Sequence, residues 1–185
     1  METSVRFSKN YLMINGSKFV PFIKYREIRN KVKEIARQIQ IDYKGKIPVF
    51  VVVLNGGIFF ATELMKHLSI PLRVETLKAK SYGNEMYTSG KVQLFLTCDD
   101  LEGRDLIIVE DIIDTGLTMK TITSELQKYK PNSIEIATLL LKRSNLKTDL
   151  PIKYCGFEIP NKFVIGFGLD YAEFGRNLKG IYILE

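Results

Sequence analysis

The sequence predicts an α/β fold in which a mostly parallel sheet is flanked by helices. Three observations carry that prediction. The runs Ile47 to Leu54, Asp105 to Val109 and Ser133 to Leu141 are almost continuously aliphatic, as strands buried on both faces are. Helical patterns stand between them, so residues 47–141 read strand, helix, strand, helix, strand, the signature of crossover units on a parallel sheet. The second run delivers a cluster of acids and small polar residues at the start of a helix, where open parallel sheets bind ligands.

Taken in order, residues Met1 to Asn10 are polar and lack the apolar core of a signal peptide. Tyr11 to Ile14 and Lys18 to Ile23 flank an Asn15-Gly16 turn signal and predict a small hairpin, with Pro21 expected to confine the second arm to a sheet edge. Ile28, Val32, Ile35 and Ile39 recur at helical spacing between Tyr25 and Gln40, with Arg29, Lys33, Glu34 and Arg37 interleaved; this is a helix with one face on a core. The first aliphatic strand ends at Asn55-Gly56-Gly57 and leads into a helix over Ile58 to Leu68. Pro71 to Lys78 predicts another strand, Ser81 to Gly90 a long mobile loop, and Val92 to Leu96 a strand closing at an Asp99-Asp100 turn. A helix after Asp105 to Val109 is expected to reach about Tyr129, where Pro131 and Asn132 break it. Ile152 to Phe157, Phe163 to Gly166 and Ile181 to Leu184 are shorter strands, and no repeat or linker divides the chain.

Composition narrows the function. With 45% hydrophobic and 26% charged residues, the 185-residue chain is an ordinary globular protein, neither disordered nor fibrous. At this size folding buries about 70% of the unfolded surface, so no metal or disulfide staple is needed. Its 27 Lys and Arg against 21 Asp and Glu give a net charge of +6, which favours anionic partners. Because the basic residues form no run or stripe, a small phosphorylated ligand is expected before a nucleic acid. Cys98 and Cys155 lack metal-binding spacing, which disfavours a zinc site and a secreted disulfide scaffold. The longest apolar run, Val49 to Leu54, is far too short to cross a membrane, and a cytoplasmic location is expected.

Four loops sit at strand ends: Asn55 to Gly57, Ser81 to Gly90, Glu110 to Thr118, and Lys142 onward. In the third, Glu110 and Asp111 precede Asp114, and Thr115-Gly116-Leu117-Thr118 opens a helix whose free N–H groups and hydroxyls could cradle a phosphate. Three carboxylates beside a phosphate repel it unless they serve ribose hydroxyls, a divalent cation or a proton in transit. A bland reading, in which Asp114 and Thr115 only cap the helix, leaves the acidic pair at a buried strand end unexplained. There is no Walker motif and no complete Rossmann fingerprint. Taken alone, Phe163 reads equally as a core residue and Lys142-Arg143 as a solvated strand end. His67, the only histidine, reads as structural or exposed.

Val109 to Thr118 resembles the phosphoribosyl-diphosphate signature of type I phosphoribosyltransferases: an aliphatic strand, two acids, two aliphatics, then Asp-Thr-Gly-x-Thr. The resemblance runs from about Ile47 to Arg176 and narrows to the hypoxanthine-guanine branch. Leu54-Asn55-Gly56-Gly57 is similar to that family's pyrophosphate loop, Lys80-Ser81-Tyr82-Gly83 to its closing lid, and Leu141-Lys142-Arg143 to its base-reading strand. Gly156 to Gly166 and Leu169-Asp170-Tyr171 follow its purine segment. Two positions depart from the pattern: Asn55 stands where many members have Lys, and Leu117 where some have Lys or Arg.

The resemblance implies a type I phosphoribosyltransferase fold over residues 1–185, with a small hood from about 1–23 and about 150–185. It implies transfer of ribose 5-phosphate from phosphoribosyl diphosphate to hypoxanthine or guanine, giving IMP or GMP and pyrophosphate with Mg2+. Asp114 would be the catalytic acid/base at purine N7. Glu110 and Asp111 would hold the ribose hydroxyls, directly or through metal, and Thr115, Gly116, Leu117 and Thr118 the 5′-phosphate. Leu54, Asn55, Gly56 and Arg176 would bind pyrophosphate, and Asp170 magnesium. Lys142 would donate to the 6-oxo group, Phe163 would stack on the base, and the Val164 backbone would meet its edge. Ser81 and Tyr82 would close over the site. The family often has a cis bond at the place of Leu54-Asn55. A homodimer or homotetramer is implied, with no membrane or nucleic-acid partner. The competing readings are a phosphoribosyl-diphosphate sensor that binds nucleic acid, and a xanthine- or pyrimidine-using relative.

Overall fold

The three aliphatic runs lie side by side. The computed structural model describes residues 4–8, 10–81, 92–97 and 100–185, with side chains for all of these but 7, 79–81 and 92–94. Numbered along the chain, β4 (Val49–Leu54), β5 (Arg73–Ser81), β6 (Val92–Leu96), β7 (Asp105–Ile113), β8 (Ser133–Leu141) and β9 (Ile152–Glu158) form one sheet. Its spatial order is β6-β5-β4-β7-β8-β9, parallel throughout except for the antiparallel β5–β6 pair. Phe50 and Val52 of β4 and Ile107 and Val109 of β7 point into the core shared with α1 (Tyr25–Asp42) and α2 (Gly57–Met65). Val49, Val51, Val53, Leu106 and Ile108 point the other way, onto Met119, Ile122 and Leu126 of α3 (Leu117–Gln127). The runs show no polar alternation because both faces are covered.

The first helix follows its pattern: Ile28, Val32, Ile35, Ala36 and Ile39 are its buried residues. Its first turn is closed by the Glu27 carboxylate, which accepts the Lys24 N–H at 3.0 Å.

A smaller antiparallel sheet caps the larger one. Its order is β1 (Val5–Phe7), β2 (Leu12–Ile14), β3 (Ser17–Ile23), β11 (Ile181–Leu184) and β10 (Val164–Ile165). The hairpin turns at Asn15 and Gly16, φ 49° and 80°, the paired positive angles of a type I′ turn. Val164, Phe167, Leu169 and Ile181 join the core beneath α1, which seats the small sheet on the large one.

Several expectations are corrected. β3 is an inner strand, between β2 and β11. Pro21 is tolerated there because β2 pairs only with Ser17 to Phe19, while the β11 register shifts beside Pro21. The segment from Ile152 belongs to the large sheet, so the second part of the small sheet starts at Val164 and not near residue 150. β7 runs on to Ile113, which puts Glu110 and Asp111 in the strand and not in a loop. β1 had no signal in the polar N-terminal stretch. Asp100 accepts from Arg73 and Arg104, each at 3.1 Å, where a turn role was expected; Asp99 lies outside the described residues.

Candidate active site

The parallel strands end together, and their last residues and following loops build the site. At the end of β4 the Leu54–Asn55 peptide is cis and Asn55 is exposed. Gly56 lies so close to β7 that a Cβ there would fall on the Asp111 carboxylate, and one on Gly57 would stand 2.7 Å from the Val109 carbonyl. The loop after β10 reaches the same point, because Gly168 packs against the Gly56 carbonyl. Only glycines permit this three-way approach of backbone and carboxylate.

Asp111 is buried, at 8% exposure, and its neighbour Glu110 is half-buried. Burial pushes the carboxyls of both upward, and for Glu110 the adjacent Asp111 charge adds to it. The Asp111 N–H donates to Glu110 Oε1 at 3.1 Å and the Ile112 N–H to Asp111 Oδ1 at 2.8 Å, while the Arg176 charge also favours ionised Asp111. Arg176 is itself fixed. Its Nη2 lies 2.6 Å from Asp170 Oδ1 and its Nη1 donates to the Gly168 carbonyl at 2.7 Å. Asp170 Oδ2 accepts the Glu173 N–H at 2.9 Å.

Beyond the acids, Glu110 to Gly116, Thr118 and Met119 line a cleft of about 180 Å3. The N-cap position is Gly116, at φ +79° and with no side chain to cap with, and the Leu117 N–H donates to Thr115 Oγ1 at a long 3.5 Å. Of the bland capping reading, Thr115 makes this one long contact, while the Asp114 carboxylate is taken up by Lys142 and Asn145. The open N–H groups and hydroxyls suit an anion.

On the neighbouring strand, the Lys142 N–H donates to the Ile113 carbonyl at 2.9 Å, and the buried side chain, 7% exposed, turns inward. Its Nζ donates to Asp114 Oδ2 at 2.7 Å, while Asn145 Nδ2 donates to Asp114 Oδ1. Burial alone would raise the Asp114 carboxyl, but these donors and the lysine charge outweigh it and hold the group below the ordinary carboxylate range. Asp114 is therefore a charged acceptor at neutral pH.

Phe163 stands apart from this polar group. It is half-exposed on the small sheet, edge-on to Tyr171 with centroids 5.6 Å apart and tilted against Phe19 at 6.3 Å. Val164 is buried in β10. Ser81 ends β5, Tyr82 lies outside the described residues, and so does the expected mobile loop to Gly90. His67 is partly buried at the end of α2, 3.7 Å from buried Glu63 and away from the cleft residues. Asn145 is the residue sequence reasoning missed. The signal available was its place in the loop after β8, next to the loop after β7 in a parallel sheet.

The oxygen-only set of Glu110, Asp111 and Asp170 suits a hard divalent cation. Among the described residues no three potential ligands gather into a cluster.

Known proteins resemble this chain. Residues 24–172 match the family model described as phosphoribosyl transferase domain. The chain is 37% identical over 174 residues to a hypoxanthine-guanine phosphoribosyltransferase of Aquifex aeolicus, covering 93% of this chain and 98% of that one. It is 41% identical over 160 residues to the Bacillus subtilis protein of the same name, covering 86% and 89%. A solved Bacillus anthracis hypoxanthine-guanine phosphoribosyltransferase superposes with a TM-score of 0.84 at 38% identity, covering 89% of this chain and 98% of that one. An aliphatic strand that presents two acids, a third acid and an uncapped helix start, in a chain so closely matched over most of its length, places this protein in the phosphoribosyltransferase family.

Proposed function

We propose that the protein is a purine salvage enzyme. It transfers ribose 5-phosphate from phosphoribosyl diphosphate to hypoxanthine or guanine, giving IMP or GMP and pyrophosphate. The observation that carries this reading is the Asp114–Lys142 pair, with the acid pair on one side and the uncapped start of α3 on the other. A charged acceptor and a cationic donor 2.7 Å apart match N7–H and the 6-oxo group on one edge of a purine. Adenine offers a donor at position 6 and leaves Lys142 unpaired, a strong basis for rejection.

In the reaction the bond from ribose C1′ to the pyrophosphate oxygen breaks and the bond from C1′ to purine N9 forms. The N7 proton passes to Asp114 as N9 attacks, so the base acquires no net charge. Positive charge develops on the ribose, beside carboxylates whose burial makes them responsive to it. Glu110 and Asp111 hold the 2′- and 3′-hydroxyls. Thr115, Gly116, Leu117 and Thr118 bind the 5′-phosphate through N–H and hydroxyl groups, and the exposed Leu117 side chain plays no part. Leu54, Asn55 and Gly56 hold pyrophosphate through backbone, and Arg176 supplies the forked cation that a Lys at position 55 would partly provide. Asp170 and the acid pair would hold magnesium largely through water, and the ion would supply positive charge to the diphosphate leaving group. Phe163 stacks on the base, the Val164 backbone meets its edge, and Ser81 and Tyr82 close over the reacting atoms to exclude water.

The enzyme is cytoplasmic and a homodimer or homotetramer in this reading. None of the described helices is long and apolar enough to cross a membrane.

An ultraviolet assay with phosphoribosyl diphosphate, Mg2+ and each of hypoxanthine, guanine, xanthine, adenine and uracil tests the proposal. Turnover of hypoxanthine or guanine is expected, falling ~100-fold or more in Asp114→Asn. Tight phosphoribosyl-diphosphate binding without turnover of any base would overturn it in favour of a sensor.

A further inference from the structure

The turn after β8 leans on the loop after β7 at three places. Asn145 Nδ2 donates to Asp114 Oδ1, and the Lys147 N–H donates to the Thr115 carbonyl at 2.9 Å. Leu146, Thr148 and Leu150 crowd the Cα of Gly116 so closely that a Cβ there would meet them at 2.8 to 3.2 Å. Asn145 is itself held by its N–H, which donates to the Lys142 carbonyl at 2.9 Å and closes the short 3-10 turn Arg143–Asn145.

The two donors on Asp114 are not equivalent. Lys142 belongs to the 6-oxo group once a base is bound, and its long flexible stem can follow the ligand. Asn145 is short, neutral and fixed to its turn. The Asp114 side chain is 44% exposed, so without a second tether it would sample several rotamers as soon as Lys142 let go. The amide orientation is settled by charge, since an amide oxygen facing the carboxylate would be repulsive.

We propose that Asn145 is a positioning residue, whose amide holds Asp114 Oδ1 while Oδ2 turns from Lys142 to the purine N7–H. This rests on the role of Asp114 given above. The amide is not needed to dock the turn, which the Lys147 N–H and the three side chains against Gly116 already secure.

The test is steady-state kinetics with hypoxanthine, phosphoribosyl diphosphate and Mg2+ on the full chain and on Asn145→Ala, Asn145→Asp, Asp114→Asn and the double variant Asp114→Asn/Asn145→Ala. Phosphoribosyl-diphosphate binding by calorimetry and Tm are read alongside. Asn145→Ala is expected to lower kcat about 10-fold, the order of loss that misplacing a reacting group gives, with diphosphate affinity and Tm unchanged. Asn145→Asp keeps the shape but sets carboxylate against carboxylate, and is expected to be slower still. In the Asp114→Asn background, Asn145→Ala is expected to cost nothing further. An Asn145→Asp variant as fast as Asn145→Ala, or a full Asn145→Ala loss on top of Asp114→Asn, would overturn the proposal. If Asp114→Asn itself turns over normally, the role of Asp114 falls and this inference with it. If Asp114→Asn fails while Asn145→Ala is unimpaired, only Asn145 is misassigned.

Discussion

At the residue scale, the pairing of Lys142 with Asp114 serves two purposes. It gives a buried ammonium a counter-charge and keeps a half-exposed carboxylate ionised. Removing the lysine exposes both. Lys142→Ala is expected to lower kcat/KM for hypoxanthine by about 10- to 100-fold, from the loss of one charged hydrogen bond of about 1.5–3 kcal/mol. It also removes a cation that pulls the Asp114 carboxyl down, leaving burial to push it up. The acidic limb of the pH–rate profile should therefore move to higher pH in the variant, and a limb that stays in place would show that Lys142 does not set the ionisation of Asp114. Seven candidate site residues were legible as residue types in one stretch, because the signature is contiguous from Glu110 to Thr118. Asn145 was not. It lies 31 positions from Asp114, and no local pattern links an amide in one loop to a carboxylate in another.

At the scale of elements, the aliphatic runs and the helical spacing gave β4, β7, β8 and α1 because those elements are buried by period. Weaker signals misled where pairing, not composition, decides. Pro21 sits in an inner strand because its neighbour on one side stops short, and pairing length is invisible in one strand's sequence. The acids fall inside β7 because the ladder with β8 continues past them to Ile113. The junction of β7 and α3 depends on Gly116, whose positive φ and close neighbours exclude a side chain. Gly116→Ala should cost about 1–3 kcal/mol in backbone strain and raise the KM for phosphoribosyl diphosphate by roughly 10-fold or more. The KM for the purine should change less, a split that steady-state kinetics with each substrate varied would read. Equal rises in both would place the damage elsewhere than in the loop from Thr115 to Thr118.

For the molecule as a whole, the two ends of the parallel sheet divide labour. Near the carboxyl end of β7, Glu110 and Asp111 are held against their inclination by burial, while Asp114 just beyond them is satisfied by Lys142 and Asn145. The amino ends carry carboxylates that are well satisfied. Asp105 Oδ1 accepts from Asn132 Nδ2 and Ser133 Oγ, both at 2.6 Å, and Lys46 lies 3.7 Å from Oδ2. Burial opposes its charge, but these partners prevail and hold its carboxyl below the ordinary range. A depressed value means stabilisation present above the unfolded pKa of about 3.9 and lost as pH falls through the folded one. Asp105→Asn should thus lower Tm at pH 7, by about 2–4 °C for each kcal/mol lost, and the gap to the unaltered protein should close on acidification below about pH 4. A gap that is constant with pH would mean the charge of Asp105 is not what ties β7 to β8.

The small sheet joins β3 to β11, the first part of the chain to the last, with Lys18 paired to Glu185 and the Glu185 N–H donating to the Lys18 carbonyl at 3.0 Å. The six strands of the large sheet are complete by residue 158. The strand carrying Val164, the loop bearing Asp170 and Arg176, and the partner that locks β3 in place come only afterwards. A chain ending there would hold the loop after β7 but neither Asp170, Arg176 nor the strand that pairs with β3. Pairing β3 with β11 therefore makes the small sheet wait on segments that stand on either side of the large sheet in sequence.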